Sequence, residues 1–213
     1  LASPQPNCND FRGNTTIRLN QYTCEKAVMN FFDRFESGLS YSAFLESFGT
    51  DEHRSRWADV HEQVSLTTAQ ELLLQSFVRD MKVLVVAGTW CGDCVNQCPI
   101  FDRFTQVNSK IQVRFFDRDA DVDLSAELTI CGGNRVPALV FLSEDGFVCG
   151  RAGDRTLSKY RDMAVTQLGA ACPTGIGQPQ SLLDQVTQDW LDEFERIQLM
   201  LRLSGRLRKL HAD

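Results

Sequence analysis

Apolar residues return at helical spacing from residue 23 to about residue 78. Val28, Phe31, Phe32 and Phe35 stand at i, i+3, i+4 and i+7, the stripe of an amphipathic helix. Ser40 is placed to cap a short helix that Gly49 closes, and Asp51 opens another through Trp57 and Val60. Thr68-Ala69-Gln70-Glu71 fits a capping box ahead of Leu72, Leu73 and Phe77. The period then changes. Residues 83–87 are continuously apolar and bounded, as in a buried strand, and residues 92–107 follow as a helix interrupted by Pro99. Ile111, Val113 and Phe115 alternate as a second strand, and residues 122–130 predict a helix. Residues 138–142 and 147–151 flank Ser143-Glu144-Asp145-Gly146, whose Asp-Gly predicts a hairpin. Leu157, Tyr160, Ala164 and Leu168 line a closing helix.

The order β-α-β-α-β-β-α predicts an α/β fold, a mixed sheet with helices on both faces. Five segments follow: a polar lead-in over 1–22, a helical extension over 23–79, the α/β domain over 80–170, a Pro/Gly-rich linker over 171–180, and a C-terminal helix over 181–213. In that last segment Leu183, Val186, Trp190, Phe194, Ile197 and Leu201 keep helical spacing to the end. The helix either packs on its own domain or pairs with a second copy as a homodimer. Arg202, Arg206, Arg208 and Lys209 suit the negative pole at its C-terminus.

Composition narrows the functional classes. Hydrophobic residues make up 43% of the 213 and charged residues 23%, which suits a packed core rather than disorder. The net charge of −6 argues against nucleic acid as a partner, because phosphate contact calls for a basic face. No apolar run approaches the roughly 18 residues of a membrane span. The chain starts at Leu1, so an upstream segment or a removed export signal stays open. Its eight cysteines (8, 24, 91, 94, 98, 131, 149, 172) sit in a chain with enough apolar residues for a core, which favours a reducing, cytoplasmic setting over a disulfide scaffold. Cys149, within Phe147-Val148-Cys149, reads as a small buried hydrophobe.

Chemistry concentrates at Trp90-Cys91-Gly92-Asp93-Cys94, which follows the buried strand and opens the next helix. A cysteine in the first turn faces unpaired N–H groups and the positive end of the helix dipole, both of which favour the attacking thiolate. Cys94, three residues on, is placed to attack a mixed disulfide held on Cys91. Gly92 and Asp93 modulate the pair, and the Asp93 charge suits the helix N-terminus while opposing a thiolate beside it. Two other readings stand beside dithiol exchange. Cys98, four residues past Cys94, permits a three-thiolate metal or cluster site, although the other cysteines form no second C-x-x-C and the histidines lack ligand spacing. A protein-interaction module with a regulatory cysteine pair is the other, since more than half the chain lies outside the α/β core. Cys131, in the loop before Pro137, is a further candidate for regulatory oxidation, as is Cys98.

Residues from about 82 to 169 resemble a thioredoxin-fold domain. Trp90-Cys91-Gly92-Asp93-Cys94 matches the active-site element, Pro99 the proline of the active-site helix, and Arg135-Val136-Pro137 the cis-proline position. The Trp-Cys-Gly-Asp-Cys variant and the helical extensions resemble a bacterial subgroup called thioredoxin family proteins. The resemblance implies a redox-active Cys91–Cys94 disulfide with no other cofactor, disulfide-containing protein substrates and a thiol reductase that recharges the pair. It also implies a cis Pro137 beside the cysteines, with the Val136 backbone offered to substrate and Trp90 covering one side. Two departures stand out: Val85 and Phe115 occupy positions where the family carries a buried Asp and Lys.

Overall fold

The computed structural model describes residues 29–169 and 181–213. The expected helix start at Thr23 and Val28, the 171–180 linker, and Cys8, Cys24 and Cys172 lie outside the described residues.

Among the described residues, four helices precede the sheet. α1 (Phe31–Phe35) is capped by the Asn30 side chain, α2 (Tyr41–Phe48) by Ser40, and α3 (Asp51–Gln63) by Thr50. α4 (Thr68–Gln75) is capped by Thr67, one residue before the expected Thr68. The Thr67 hydroxyl accepts from the Gln70 N–H and the Gln70 side chain accepts from the Thr67 N–H, so Thr-x-x-Gln closes the box where Thr-x-x-Glu was expected. Then come β1 (Met81–Ala87), α5 (Gly92–Val107), β2 (Ile111–Asp117), α6 (Val122–Glu127), β3 (Ala138–Ser143), β4 (Val148–Gly153) and α7 (Leu157–Leu168). α6 is shorter than expected because the chain turns at Cys131 and Gly132, both at positive φ, and Ile130 pairs with Gly133.

The sheet order is β2-β1-β3-β4, with β1 parallel to β2 and antiparallel to β3, and β3 antiparallel to β4. Every β3 residue is buried and β1 is buried except at Lys82. One face carries Lys82, Arg114 and Phe116 and lies under α1; the Phe32 and Phe35 rings sit below the Lys82 ammonium. On the other face Phe115 stacks against Phe44 of α2, and the Phe104 and Phe141 rings meet Phe194 edge-on.

Phe194 belongs to α8 (Leu182–Leu203), which packs on its own domain: Val186, Trp190, Leu191, Phe194, Ile197 and Leu201 are buried against α5, α7 and β4. The Gln198 side chain bonds the backbone of Arg79 through both its oxygen and its nitrogen. The helix does not run to the end. Ser204 closes α8 and caps α9 (Gly205–His211), which folds back so that Arg206 pairs with Asp145 and His211 with Glu144 in the β3–β4 turn. Arg202 thus stands in the last turn of α8, and Arg208 and Lys209 in the last turn of α9. Among the described residues no helix is long and apolar enough to cross a membrane.

Candidate functional site

β1 ends at Ala87 in the middle of the sheet, and the chain turns through Gly88 and Thr89 into Trp90. Gly88 is needed there because a Cβ would stand 2.8 Å from the Trp90 ring. Both flanking helices of the N-terminal segment hold this turn: Trp57 of α3 donates from Nε1 to the Thr89 carbonyl at 2.9 Å, and the Thr89 hydroxyl donates to the Phe48 carbonyl at the end of α2. Trp90 itself is 43% exposed, so it is a surface ring beside the motif and not a core aromatic. The Arg118 guanidinium lies over it at 4.4 Å.

Cys91 is the N-cap of α5, in extended conformation, half-buried, and its side chain makes no capping bond. Its Sγ sits 3.6 Å from the carbonyl oxygen of Val136, and the Val136–Pro137 bond is cis. The active-site helix and the proline segment, 45 residues apart in sequence, therefore meet at the nucleophile. Gly92 has open space about its Cα. Cys94 is fully buried behind Cys91, and Cys98 is fully buried one turn further along α5. The five described cysteines are free thiols, and among the described residues no group of three or more His, Cys, Asp or Glu is placed to hold a metal. Cys131 is exposed in its turn and is not among the residues lining the groove; Cys149 is partly buried at the sheet edge rather than sealed in a core.

Electrostatics at the pair differ from the simple helix-dipole expectation. The backbone N–H groups of Asp93 and Cys94 do favour a thiolate on Cys91, yet its hydrogen bond with the Cys94 thiol and its partial burial outweigh them and hold it above the ordinary cysteine range. Burial pushes the Cys94 thiol well above that range as well. Val85 and Phe115 are adjacent across β1 and β2 and both fully buried, so these two positions supply apolar surface and no carboxylate.

In front of Cys91 a groove of about 420 Å³ is lined by Trp90, Asp93, Arg118, Arg135, Val136 and Arg155, among others. Arg155 spans two carboxylates, Asp93 at 2.6 Å and the buried Asp154 at 3.0 Å. Asp154 also accepts from the Tyr160 hydroxyl at 2.5 Å and from Arg135 at 3.3 Å. Those bonds hold its carboxyl below the usual range despite burial. Gln97 of α5 donates to the Asp154 carbonyl at 2.8 Å and accepts from the Trp190 indole of α8 at 2.9 Å. Gly153, at φ +118, lets β4 close on the proline segment, where a Cβ would meet the Pro137 oxygen at 2.2 Å. Arg118, Asp154, Arg155 and Gln97 were not singled out in the sequence, and Trp190 was read there only as part of a helical stripe. They lie 6 to 99 residues from Cys91 in the chain, and only Asp154-Arg155, polar residues three and four places after a predicted strand, offered a signal.

A four-stranded mixed sheet with a C-x-x-C at the start of a helix and a cis-proline facing it defines a thioredoxin-like dithiol protein. The chain belongs to the thioredoxin family: the family described as Thioredoxin matches residues 38–164, from the turn before α2 into α7. A protein of unknown function from Pseudomonas aeruginosa shares the fold at 18% identity and TM-score 0.62, over 79% of this chain and 96% of that one. An HIV epitope scaffold shares it at 20% identity and TM-score 0.58, over 78% and 99%. No curated protein matches the chain.

Proposed function

We propose that the chain catalyses thiol–disulfide exchange, reducing disulfides in protein substrates through Cys91 and Cys94. The observation that carries this reading is the arrangement of a half-exposed Cys91 at a helix start, facing the Val136 carbonyl, with Cys94 sealed behind it. The Cys91 thiolate attacks one substrate sulfur and forms a mixed disulfide; the other substrate sulfur leaves and takes up a proton. Cys94 then gives up its proton and attacks Sγ of Cys91, releasing the second substrate thiol. Two electrons pass to the substrate and the pair ends as a disulfide, which a thiol reductase of a reducing compartment such as the cytoplasm returns to the dithiol. An extended substrate segment pairs with the Val136 backbone beside the exposed Trp90 ring. The reducing direction is supported by the thiols, because an environment that disfavours thiolate disfavours the reduced form.

Insulin reduction tests this. Cys91→Ser is expected to abolish turnover, and Cys94→Ser to trap mixed disulfides that dithiothreitol releases. A Cys91→Ser protein that still reduces insulin overturns the proposal.

A further inference from the structure

We infer that Arg155 sets the electrostatic balance of the Cys91–Cys94 pair by neutralising Asp93, the charged residue inside the motif. It is thus a positioning residue for the exchange reaction proposed above, on which this inference rests. Asp93 lies two residues from Cys91 on the same first turn, and its carboxylate would oppose a thiolate there. Arg155 reaches it from the start of α7 at 2.6 Å, with both side chains largely shielded from solvent. The guanidinium is fixed by a second carboxylate, Asp154, at 3.0 Å, while its Nε is buried without a hydrogen-bond partner. Besides the two acids it faces the Tyr160 ring at 5.8 Å, whose hydroxyl donates to Asp154.

Among the described residues, the neighbouring cations bond acids other than Asp93. From the segment after β2, Arg118 lies over Trp90 and pairs with Asp119. From the segment before β3, Arg135 is held by Asp154. Lys159, which borders the hollow on the far side of Asp93, pairs with Asp162. On α5 itself the remaining titratable neighbour is Cys94. Among the described residues, Arg155 is the cation bonded to Asp93. The motif behaves as if residue 93 were neutral, with the helix-favouring carboxylate kept and its repulsion of Cys91 cancelled.

Asp154, in turn, is held by the Trp190–Gln97 chain from α8. The C-terminal helix thereby fixes the loop that presents Arg155.

The test is the pH profile of Cys91 alkylation by iodoacetamide in the reduced full chain, read by peptide mass spectrometry. Parallel equilibration against glutathione gives the fraction of Cys91–Cys94 disulfide. Arg155→Gln is expected to slow Cys91 alkylation at pH 7 roughly tenfold, the effect of about one unit of thiol pKa from a nearby like charge. Asp93→Asn is expected to quicken it, the double variant to return near the wild type, and Arg155→Lys to track the wild type because it keeps the charge. In glutathione the variants should follow the same order, Arg155→Gln being the most readily oxidised. An unchanged Arg155→Gln profile, or a double variant as slow as Arg155→Gln alone, overturns the inference. If the alkylation order holds but no variant shows a redox transition, the charge compensation stands and the proposed activity fails. If the wild type is redox-active and the alkylation profiles coincide, the inference alone fails.

Discussion

Cys91 and Cys94 share one small volume in which hydrogen bonding and burial disfavour charge on either sulfur. Thiolate is the attacking species, so the raised Cys91 pKa makes attack climb with pH across the neutral range. Between about pH 6 and 9, bracketing the ordinary cysteine value, the rate of insulin reduction is expected to rise with near-unit slope and no plateau. Stopped-flow rates across that range check it, and a plateau below about pH 7 would show a strongly acidic nucleophile instead. The placement of the C-x-x-C at a helix start was legible from residue order, and the cis Val136–Pro137 bond was implied by the resemblance. Arg155 was not legible. Its partner lies 62 residues away, and a surface-like arginine carries no sequence mark of the carboxylates that will surround it.

At the scale of elements, local signals served well where the chain decides its own conformation. The Ser40 hydroxyl caps α2 and Gly49, with no Cβ to meet the Leu45 carbonyl, ends it, and the Asp-Gly pair makes the β3–β4 turn with Gly146 at positive φ. They served less well where tertiary pairing intervenes. The break at Ser204 lies within a continuous helical pattern, and α9 folds back because Asp145 and Glu144 of the hairpin take Arg206 and His211. The Arg206 guanidinium holds the Asp145 carboxyl at about 2, below its ordinary value. A depressed folded-state pKa stabilises above the unfolded value and loses that contribution as pH falls through the folded one. Asp145→Asn is therefore expected to lower the thermal midpoint at pH 7, with most of that loss gone as pH falls to about 2. Calorimetry at both pH values checks this, and an equal loss at both would show that the ion pair is not the cause. Thr67→Ala removes the α4 cap and should cost about 1 kcal/mol in urea unfolding.

At the scale of the whole fold, the helices before β1 and after α7 brace the Cys91 site. α2 and α3 fix the turn before Trp90 through Phe48, Trp57 and Thr89, and α8 reaches α5 and the Asp154 segment through Trp190 and Gln97. The periodicity of α8 was plain in the sequence, but its docking was not, because an apolar stripe looks the same whether it meets its own domain or another chain. Trp190→Phe keeps most of the buried ring and leaves the buried Gln97 oxygen without its donor. It is expected to cost about 1–3 kcal/mol in urea unfolding, and no loss would mean that the Gln97 bridge is idle.

The most direct test of the central claim is the redox titration of the full chain against glutathione, with free thiols alkylated and mapped by mass spectrometry. A single two-electron transition confined to Cys91 and Cys94, at a strongly reducing potential, is expected, with Cys98, Cys131 and Cys149 alkylated throughout. A pair that stays reduced under oxidising glutathione, or a disulfide that joins Cys94 to a cysteine other than Cys91, would contradict it.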